Sequence, residues 1–310
     1  MRAERNPIMS ETIRRLPALV AGVVLTAGLA AAQEDGGDAV RTKQYDDGGV
    51  YEGTFRDGLQ HGQGTYRLPN GYEYTGEWVD GEIRGEGVAR FPNGSVYEGS
   101  FAKGKPDGVG KITFADGSTY EGTWVEGEIT GQGVAIYADG TRYEGSWVAG
   151  EIEGEGEVTY PDGSVYKGAF RDGLAHGEGK ITYPDGSTYE GDWVDGVIQG
   201  EGRATYPDGL VYEGAFENAR NHGQGVMTYP DGYRYEGEWK DGQRHGQGTA
   251  TYPDGTVYVG QFVDGARHGE GRIEMPDGFT YEGAWTEGRI EGEGVARYPR
   301  RDDAGEITGY

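Results

Sequence analysis

The amino-acid sequence predicts an all-β protein, an elongated, twisted antiparallel array of tandem β-hairpins that forms an open, single-layer, solenoid-like sheet. Two observations predict this fold. The 310 residues include 61 Gly and 12 Pro, which recur at a fixed period. Aromatic residues are plentiful, with 23 Tyr, 6 Trp and 8 Phe, whereas a disordered chain would lack them. The chain has no Cys, which excludes disulfides, thiolate metal sites and Cys nucleophiles.

The charge balance restricts the partners of the chain. The formal net charge is −25 at pH 7. Proteins that bind nucleic acid present basic patches to the phosphates, so we expect no nucleic-acid partner. The same charge disfavours anionic lipid headgroups as a binding surface.

The N-terminal segment, residues 1–32, is predicted to be a signal peptide. Arg14 and Arg15 precede an apolar run, residues 16–29, and Ala30 to Ala32 offer a small-residue cleavage site. We therefore expect export to the periplasm or the extracellular space, with cleavage near Ala32. The alternative is that residues 16–29 remain as an uncleaved anchor, but the run is short for a membrane span and is interrupted by Pro17.

The remainder of the chain is one tandem repeat. Residues 33–50 form a leader and a partial repeat, because Tyr45 to Gly48 match the end of a unit. Residues 51–303 form eleven units of 23 residues without insertion or deletion, and residues 304–310 form a polar C-terminal tail. Each unit begins with a tyrosine: Tyr51, Tyr74, Tyr97, Tyr120, Tyr143, Tyr166, Tyr189, Tyr212, Tyr235, Tyr258 and Tyr281.

The seventh unit shows the secondary structure that we expect in all eleven. Residues 189–193, YEGDW, alternate aromatic and polar side chains with period two, which is typical of a half-buried strand. Asp195-Gly196 predicts a turn, residues 200–206 alternate again, and Pro207-Asp208-Gly209 predicts the connection to the next unit. Each unit is therefore a β-hairpin that is stable only when stacked on its neighbours.

The fifth residue of each unit is predicted to lie in the core. Where it is Trp, the sixteenth residue is small, as in Trp193 and Ala204; where it is Phe, the sixteenth is larger, as in Phe216 and Met227. This size correlation predicts that the two positions face each other across the hairpin. The predicted structural-core tryptophans are Trp78, Trp124, Trp147, Trp193, Trp239 and Trp285.

The pattern Y-E-G-x-W-x-x-G-x-x-x-G-x-G resembles the MORN (membrane occupation and recognition nexus) repeat, and its spacing matches in all eleven units, with Phe often in place of Trp. The resemblance implies a twisted antiparallel β array that is often dimeric. It also implies scaffolding, protein–protein contacts and phospholipid binding. The lipid-kinase and methyltransferase domains that accompany these repeats elsewhere have no counterpart here, so no catalytic domain is expected.

The histidines all occupy the eleventh position of their units, but no metal or other cofactor is predicted from them. Equivalent residues of neighbouring units should lie about 10 Å apart, two strand spacings, which is too far for one zinc ion. A dimer that brings two such rows together is the alternative. One Asp per connecting turn is likewise too sparse for a calcium site. The five histidines are His61, His176, His222, His245 and His268.

Glutamate recurs at the second position of most units, on the strand face opposite the aromatic side chains. The alternatives are a solvated polar face and an acidic strip that binds a cationic partner. No unit carries a distinctive pair of carboxylates, so no catalytic residues and no enzyme are predicted. The candidate interaction surface comprises Glu98, Glu121, Glu144, Glu190, Glu213, Glu236 and Glu282, in line with Glu52.

The sequence thus predicts a non-enzymatic protein-interaction or structural scaffold module in the bacterial periplasm. Its partner would be a protein, and a homodimer is a further alternative, because an apolar stripe left open on a single sheet would be a groove or a dimer seam. The alternative function is association with phospholipids of the envelope membrane, which the negative charge disfavours.

Overall fold

The computed structural model describes residues 39–301 and 307–309. The predicted signal peptide and the first part of the leader lie outside the described residues. The chain divides into two compact units, each of which contains several of the 23-residue units. Among the described residues, the first compact unit comprises residues 39–163 and 169–174, and the second compact unit comprises residues 164–168, 175–301 and 307–309.

Both units are all-β, and no helix occurs in the described parts of the chain. The strands are β1 (Arg41–Gln44), β2 (Val50–Arg56), β3 (Leu59–Arg67), β4 (Glu73–Val79), β5 (Glu82–Arg90), β6 (Val96–Ala102), β7 (Lys105–Thr113), β8 (Thr119–Val125), β9 (Glu128–Ile136), β10 (Arg142–Val148), β11 (Glu151–Thr159), β12 (Val165–Arg171), β13 (Leu174–Thr182), β14 (Thr188–Val194), β15 (Val197–Thr205), β16 (Val211–Glu217), β17 (Arg220–Thr228), β18 (Arg234–Lys240), β19 (Gln243–Thr251), β20 (Val257–Val263), β21 (Ala266–Glu274), β22 (Thr280–Thr286), β23 (Arg289–Arg297), β24 (Arg300–Arg301) and β25 (Ile307–Gly309).

Each compact unit is an open antiparallel sheet of tandem hairpins, as the sequence predicts. In the first compact unit, ladders join consecutive strands from β1 to β11. In the second compact unit, they join consecutive strands from β13 to β23. Beyond β23, the short strands β24 and β25 pair with each other, so part of the C-terminal tail forms a separate two-stranded sheet.

The two strands of a hairpin are joined by two residues with positive φ. Between β14 and β15 these are Asp195, with φ of 48°, and Gly196, with φ of 83°. Positive φ at both central residues defines the type I′ turn, whose twist matches that of paired strands. The Gly196 N–H donates to the carbonyl of Ala175 at 2.8 Å, so each such turn is also bound to the preceding hairpin.

The connection between hairpins is closed by an Asx turn. Between β13 and β14, the Ser187 N–H donates to Asp185 Oδ1 at 3.0 Å, and the Gly186 N–H donates to the carbonyl of Tyr183 at 2.9 Å. An Asp or Asn carboxyl or amide oxygen that accepts from the backbone two residues later stabilises such turns. This explains why the Pro-Asp-Gly signal recurs in the sequence.

The prediction that the fifth and sixteenth residues face each other is wrong. Trp193 pairs with Ile198, the tenth residue of its unit, whereas Ala204 pairs with Tyr189 in its own hairpin and with Tyr212 in the next. The two-residue turn fixes the fifth residue opposite the tenth, and a β-bulge between the third and fifth residues then shifts the register. The size correlation therefore does not arise from a direct cross-strand pair.

The opening tyrosine of each unit lies over two glycines. In the seventh unit, a Cβ atom added to Gly202 would lie 2.5 Å from Tyr189 Cε2, and one added to Gly191 would lie 2.5 Å from Gly202 Cα. Only glycine allows so close an approach. The Tyr189 hydroxyl donates to the carbonyl of Asp192 at 3.0 Å, within the bulge. The ring thus covers the glycine pair, and its hydroxyl satisfies the bulged backbone.

These tyrosines alternate with the fifth-position rings in an edge-to-face row. In the first compact unit the row begins with Phe55, Tyr51 and Trp78, and the centroids of consecutive rings are 5.0–5.6 Å apart. In the second compact unit the row extends from Tyr166 to Tyr281 with the same spacing. Each such pair contributes about 0.5–1.5 kcal/mol beyond the buried area. This row is the core of each compact unit.

Replacing Tyr189 by Phe should lower the free energy of unfolding by about 1 kcal/mol, because the bulged carbonyl loses its hydrogen bond while the ring is retained. The measurement is urea denaturation followed by tryptophan fluorescence. The control is Tyr206→Phe, since the Tyr206 hydroxyl has no hydrogen-bond partner among the described residues. Equal effects of the two substitutions would contradict the role given to the hydroxyl.

Replacing Ala219 by Gly should raise the free energy of unfolding by about 0.5–1 kcal/mol, because Ala219 has a φ of 59° at a turn position where the other units carry Gly. The matched control is Ala215→Gly in β16, which should destabilise the protein by about the same amount because it adds freedom to the unfolded chain. The same denaturation measurement applies. A loss of stability at both positions would refute the argument.

Candidate interaction surfaces

The candidate glutamates lie on the exposed face of the strands. All seven are exposed: Glu98, Glu121, Glu144, Glu190, Glu213, Glu236 and Glu282. Some are ion-paired to neighbours on that face. Glu190 lies 3.1 Å from Lys180 Nζ, and Glu213 lies 2.7 Å from Arg203 Nε. Glu144 and Glu236 pair with nearby arginines in the same way. Exposed pairs of this kind contribute little stability and leave the carboxylates accessible.

The six tryptophans of the predicted core are buried, with exposed fractions of 1–5%: Trp78, Trp124, Trp147, Trp193, Trp239 and Trp285. Their indole N–H groups point into the preceding hairpin. Trp193 Nε1, for example, donates to the carbonyl of Gly179 at 3.2 Å. A buried indole with a satisfied donor has no group left for a ligand.

The eleventh position, which carries the histidines, binds the turn of the next unit. His61 Nδ1 accepts from the Asp80 N–H at 3.5 Å, and His176 Nδ1 accepts from the Asp195 N–H at 3.4 Å. In another unit, Glu153 Oε1 fills the same place and accepts from the Asp172 N–H at 3.0 Å. In the described parts of the chain, no group of three or more His, Cys, Asp or Glu side chains could hold a metal ion.

A change at the tenth position of the repeat was not predicted from the sequence. In the repeats of the first compact unit, the tenth residue is usually a buried isoleucine, such as Ile83 and Ile152, with exposed fractions of 2% and 0%. In the second compact unit, Ala175 and Ile198 continue the row, but the next three residues are Asn221, Arg244 and Arg267, all half-buried. The signal was in the sequence, as two arginines 23 residues apart at a position that carries no other charged residue.

The two arginines lie against aromatic rings. The Arg267 guanidinium carbon is 4.4 Å from the centroid of Trp285, and Arg267 Nη2 donates to the carbonyl of Gly288 at 3.0 Å. The Arg244 guanidinium carbon is 5.4 Å from the centroid of Phe262. Arg244 also donates to the hydroxyl of Tyr233 and to the carbonyl of Gly265. Cation–π contact and these hydrogen bonds hold both side chains in place.

Burial disfavours the charged phenolate, and it raises the pKa of several opening tyrosines above that of free tyrosine. Burial raises the pKa of Tyr51, Tyr120 and Tyr258 to about 12. For Tyr258, the positive charge of Arg267 opposes that rise. All of these hydroxyls are therefore neutral hydrogen-bond donors at physiological pH, as their packing role requires.

One shallow, open depression beside the hairpin turns of the first compact unit is lined by Lys105, Val125, Glu126, Glu128, Thr130 and Ala149. It has the character of an exposed surface hollow and not of an enclosed substrate cavity. Within the described residues, no helix has the length and apolar character needed to cross a membrane.

A family model described as MORN repeat matches the chain eleven times, over residues 51–71, 74–96, 97–119, 120–142, 143–165, 166–188, 189–211, 212–232, 235–257, 258–280 and 281–302. These matches cover most of the chain and begin at the eleven tyrosines that define the units. No curated protein matches the sequence.

Several solved structures are similar in part. The TCP10 domain of Danio rerio CPAP is 18% identical, with 64% of this chain and 93% of that chain covered and a TM-score of 0.37. The SAS-4 (dCPAP) TCP domain of Drosophila melanogaster, solved with a proline-rich motif of Ana2 (dSTIL), is 14% identical, with 67% and 96% covered and a TM-score of 0.32. A streptogramin B lyase is 15% identical, with 79% and 90% covered and a TM-score of 0.15. Scores this low do not bear on function.

The protein should unfold at alkaline pH. The pKa of these tyrosines in the folded protein lies above the ordinary value of 10.0, so their contribution to stability is fully present below pH 10 and is lost as the pH rises toward 12. Phenolate absorbance and tryptophan fluorescence, recorded together against pH, should change in one step above pH 10. Full ionisation near pH 10 with unchanged fluorescence would contradict the packing role of the hydroxyls.

Proposed function

Because the chain belongs to the MORN repeat family, we propose that it is a non-enzymatic protein-interaction or scaffold module that acts in the bacterial periplasm. One observation carries the proposal. Eight of the eleven units present an exposed glutamate at the same strand position, while most of their aromatic side chains are used in packing. Weak contacts repeated at a spacing of about 10 Å would add through avidity.

A non-catalytic role agrees with the family, whose repeats are generally not catalytic. It also agrees with the location of the polar side chains. His61 and His176 are engaged with turns, and the second-position carboxylates lie on an open face where water competes for every hydrogen bond. Catalytic acids and bases are instead expected in enclosed sites that shift their pKa values.

The periplasmic location rests on the sequence of residues 1–32. A basic segment, a short apolar run and three alanines are together typical of a cleaved export signal. The sign and size of the net charge favour a protein partner over the anionic surface of a membrane.

In-cell photo-crosslinking tests the proposal. A photoreactive amino acid replaces Glu121, Glu190 or Glu282 on the exposed face, one at a time, in the full chain expressed in its native host. We expect one dominant protein adduct in the periplasmic fraction, and a mature N-terminus just after Ala32. The matched control replaces Asp208, in a connecting turn away from that face, and should give much less of the same adduct.

Other outcomes would overturn parts of the proposal. Adducts with copies of this chain alone would indicate a homo-oligomeric structural array and would refute capture of another protein. Lipid adducts, together with co-sedimentation with anionic vesicles at low salt, would favour the phospholipid function instead. Recovery of the unprocessed chain from the cytoplasm would refute export.

A further inference from the structure

We propose that Arg244 and Arg267 form a recognition site for the carboxylates of an acidic peptide segment in a partner protein. The inference rests on the proposed interaction function and adds a location and a ligand chemistry to it. The two side chains are called the Arg pair below. They occupy the tenth position of consecutive repeats, on β19 and β21, where five of the other nine repeats carry isoleucine.

The face that carries the Arg pair has only positive formal charge. This aromatic face comprises the first, fifth, tenth, sixteenth, eighteenth and twenty-second residues of each 23-residue repeat. The part of the face that surrounds the Arg pair extends from Tyr212 to Tyr298 in the second compact unit. Its only charged side chains are Arg244 and Arg267. The acidic residues of these units lie at other positions of the repeat, among them the second residue of the strand and the turns. Between Tyr212 and Tyr298, this face therefore carries only positive formal charge, although the sequence has 53 acidic residues.

The Arg pair has donors to spare. A guanidinium has five N–H donors, and it is suited to bidentate binding of a carboxylate. Arg267 uses one donor on the carbonyl of Gly288, and Arg244 uses two, on Tyr233 and Gly265. No carboxylate within residues 39–301 lies within ion-pair distance of either guanidinium. Contact with the rings fixes the guanidiniums before a ligand arrives, which lowers the entropic cost of binding.

The spacing fits an extended peptide. Tenth residues of neighbouring units are two strands apart, about 10 Å. In the extended polyproline II conformation, residues three apart lie on the same side of the chain and about 9 Å from each other, so carboxylates at every third position could meet both arginines. On the same face, Met275 is 38% exposed and Tyr298 is 70% exposed, although most residues of this face are buried. They offer apolar contacts to the side chains between the carboxylates.

The charges around the site favour a peptide over a membrane. Asp241 and Asp264 lie in the hairpin turns on one side of the face, and Asp254 and Asp277 lie in the connecting turns on the other. A flat anionic surface would bring its phosphates close to these carboxylates, within a Debye length of about 8 Å. A single extended segment would contact the Arg pair and the rings alone.

A peptide titration of the full chain tests the site. The probe is a fluorescently labelled peptide, GSDAYDAYDGS, and the comparison peptide is GSNAYNAYNGS, which keeps the shape and removes the carboxylates. Arg244→Ile and Arg267→Ile restore the residue that other units carry, so both variants should fold. The control is Arg234→Met, because Arg234 lies near the pair in sequence but binds Glu236 at 2.7 Å on the other face.

We expect the acidic peptide to bind at least about tenfold more tightly than the amide peptide, as assessed by fluorescence anisotropy. Each Ile substitution should weaken binding by about tenfold, and Arg234→Met should have no effect. Asn221→Arg, which extends the row by one cation, should tighten binding of a peptide that has a fourth carboxylate. Weaker binding at higher salt should accompany all of these results.

Three results would overturn the inference. They are equal binding of the two peptides, unchanged binding by the double Ile variant, and binding of phosphatidylglycerol vesicles through the Arg pair without binding of the peptide. The failures of the two proposals are distinguishable. If the peptide fails to bind while crosslinks from Glu190 persist, only the site is refuted. If the peptide binds but no partner is crosslinked, the site remains and the proposed function is refuted.

Discussion

The structure depends on a tyrosine ring that lies over two glycines. In every unit, a side chain larger than hydrogen at either glycine would collide with the ring or with the facing strand, as Gly191 and Gly202 show beneath Tyr189. The hydroxyl then satisfies a carbonyl that the bulge removes from the ladder. One side chain thus fixes the close approach of two strands, the position of the bulge and the place of the next ring.

The aromatic row follows from that arrangement. Because each tyrosine contacts the fifth-position ring of its own hairpin and that of the following hairpin, as Tyr189 contacts Trp193 and Phe216, the row links hairpins that could not fold alone. The tenth residue completes this layer opposite the fifth. Where this residue changes from isoleucine to arginine, the same packing holds a cation in place of an apolar side chain. A position that serves packing in other repeats then carries a group that can bind an anion.

Much of this could be predicted from the sequence, and the exceptions have physical causes. The alternation at residues 189–193 and the Asp195-Gly196 dipeptide specify a strand and a turn, because both depend on local geometry. The bulge depends on the fit of a distant ring, and no local signal marks it, so the pairing of Trp193 with Ala204 was wrong. The ion pair of Glu190 with Lys180 likewise depends on the register. Arg244 and Arg267 were visible in the sequence, but only the structure shows that they face the rings.

The bond from each hairpin turn to the preceding hairpin, such as Gly196 N–H to Ala175, makes every junction between units alike. An ancestral gene could therefore gain or lose whole 23-residue blocks by recombination at any equivalent codon, with each new junction as well bonded as the old. Loss of any other number of residues would break the register. A change in the number of repeats on either side of the Arg pair would then shift its distance from each terminus in steps of one repeat, without altering the site itself.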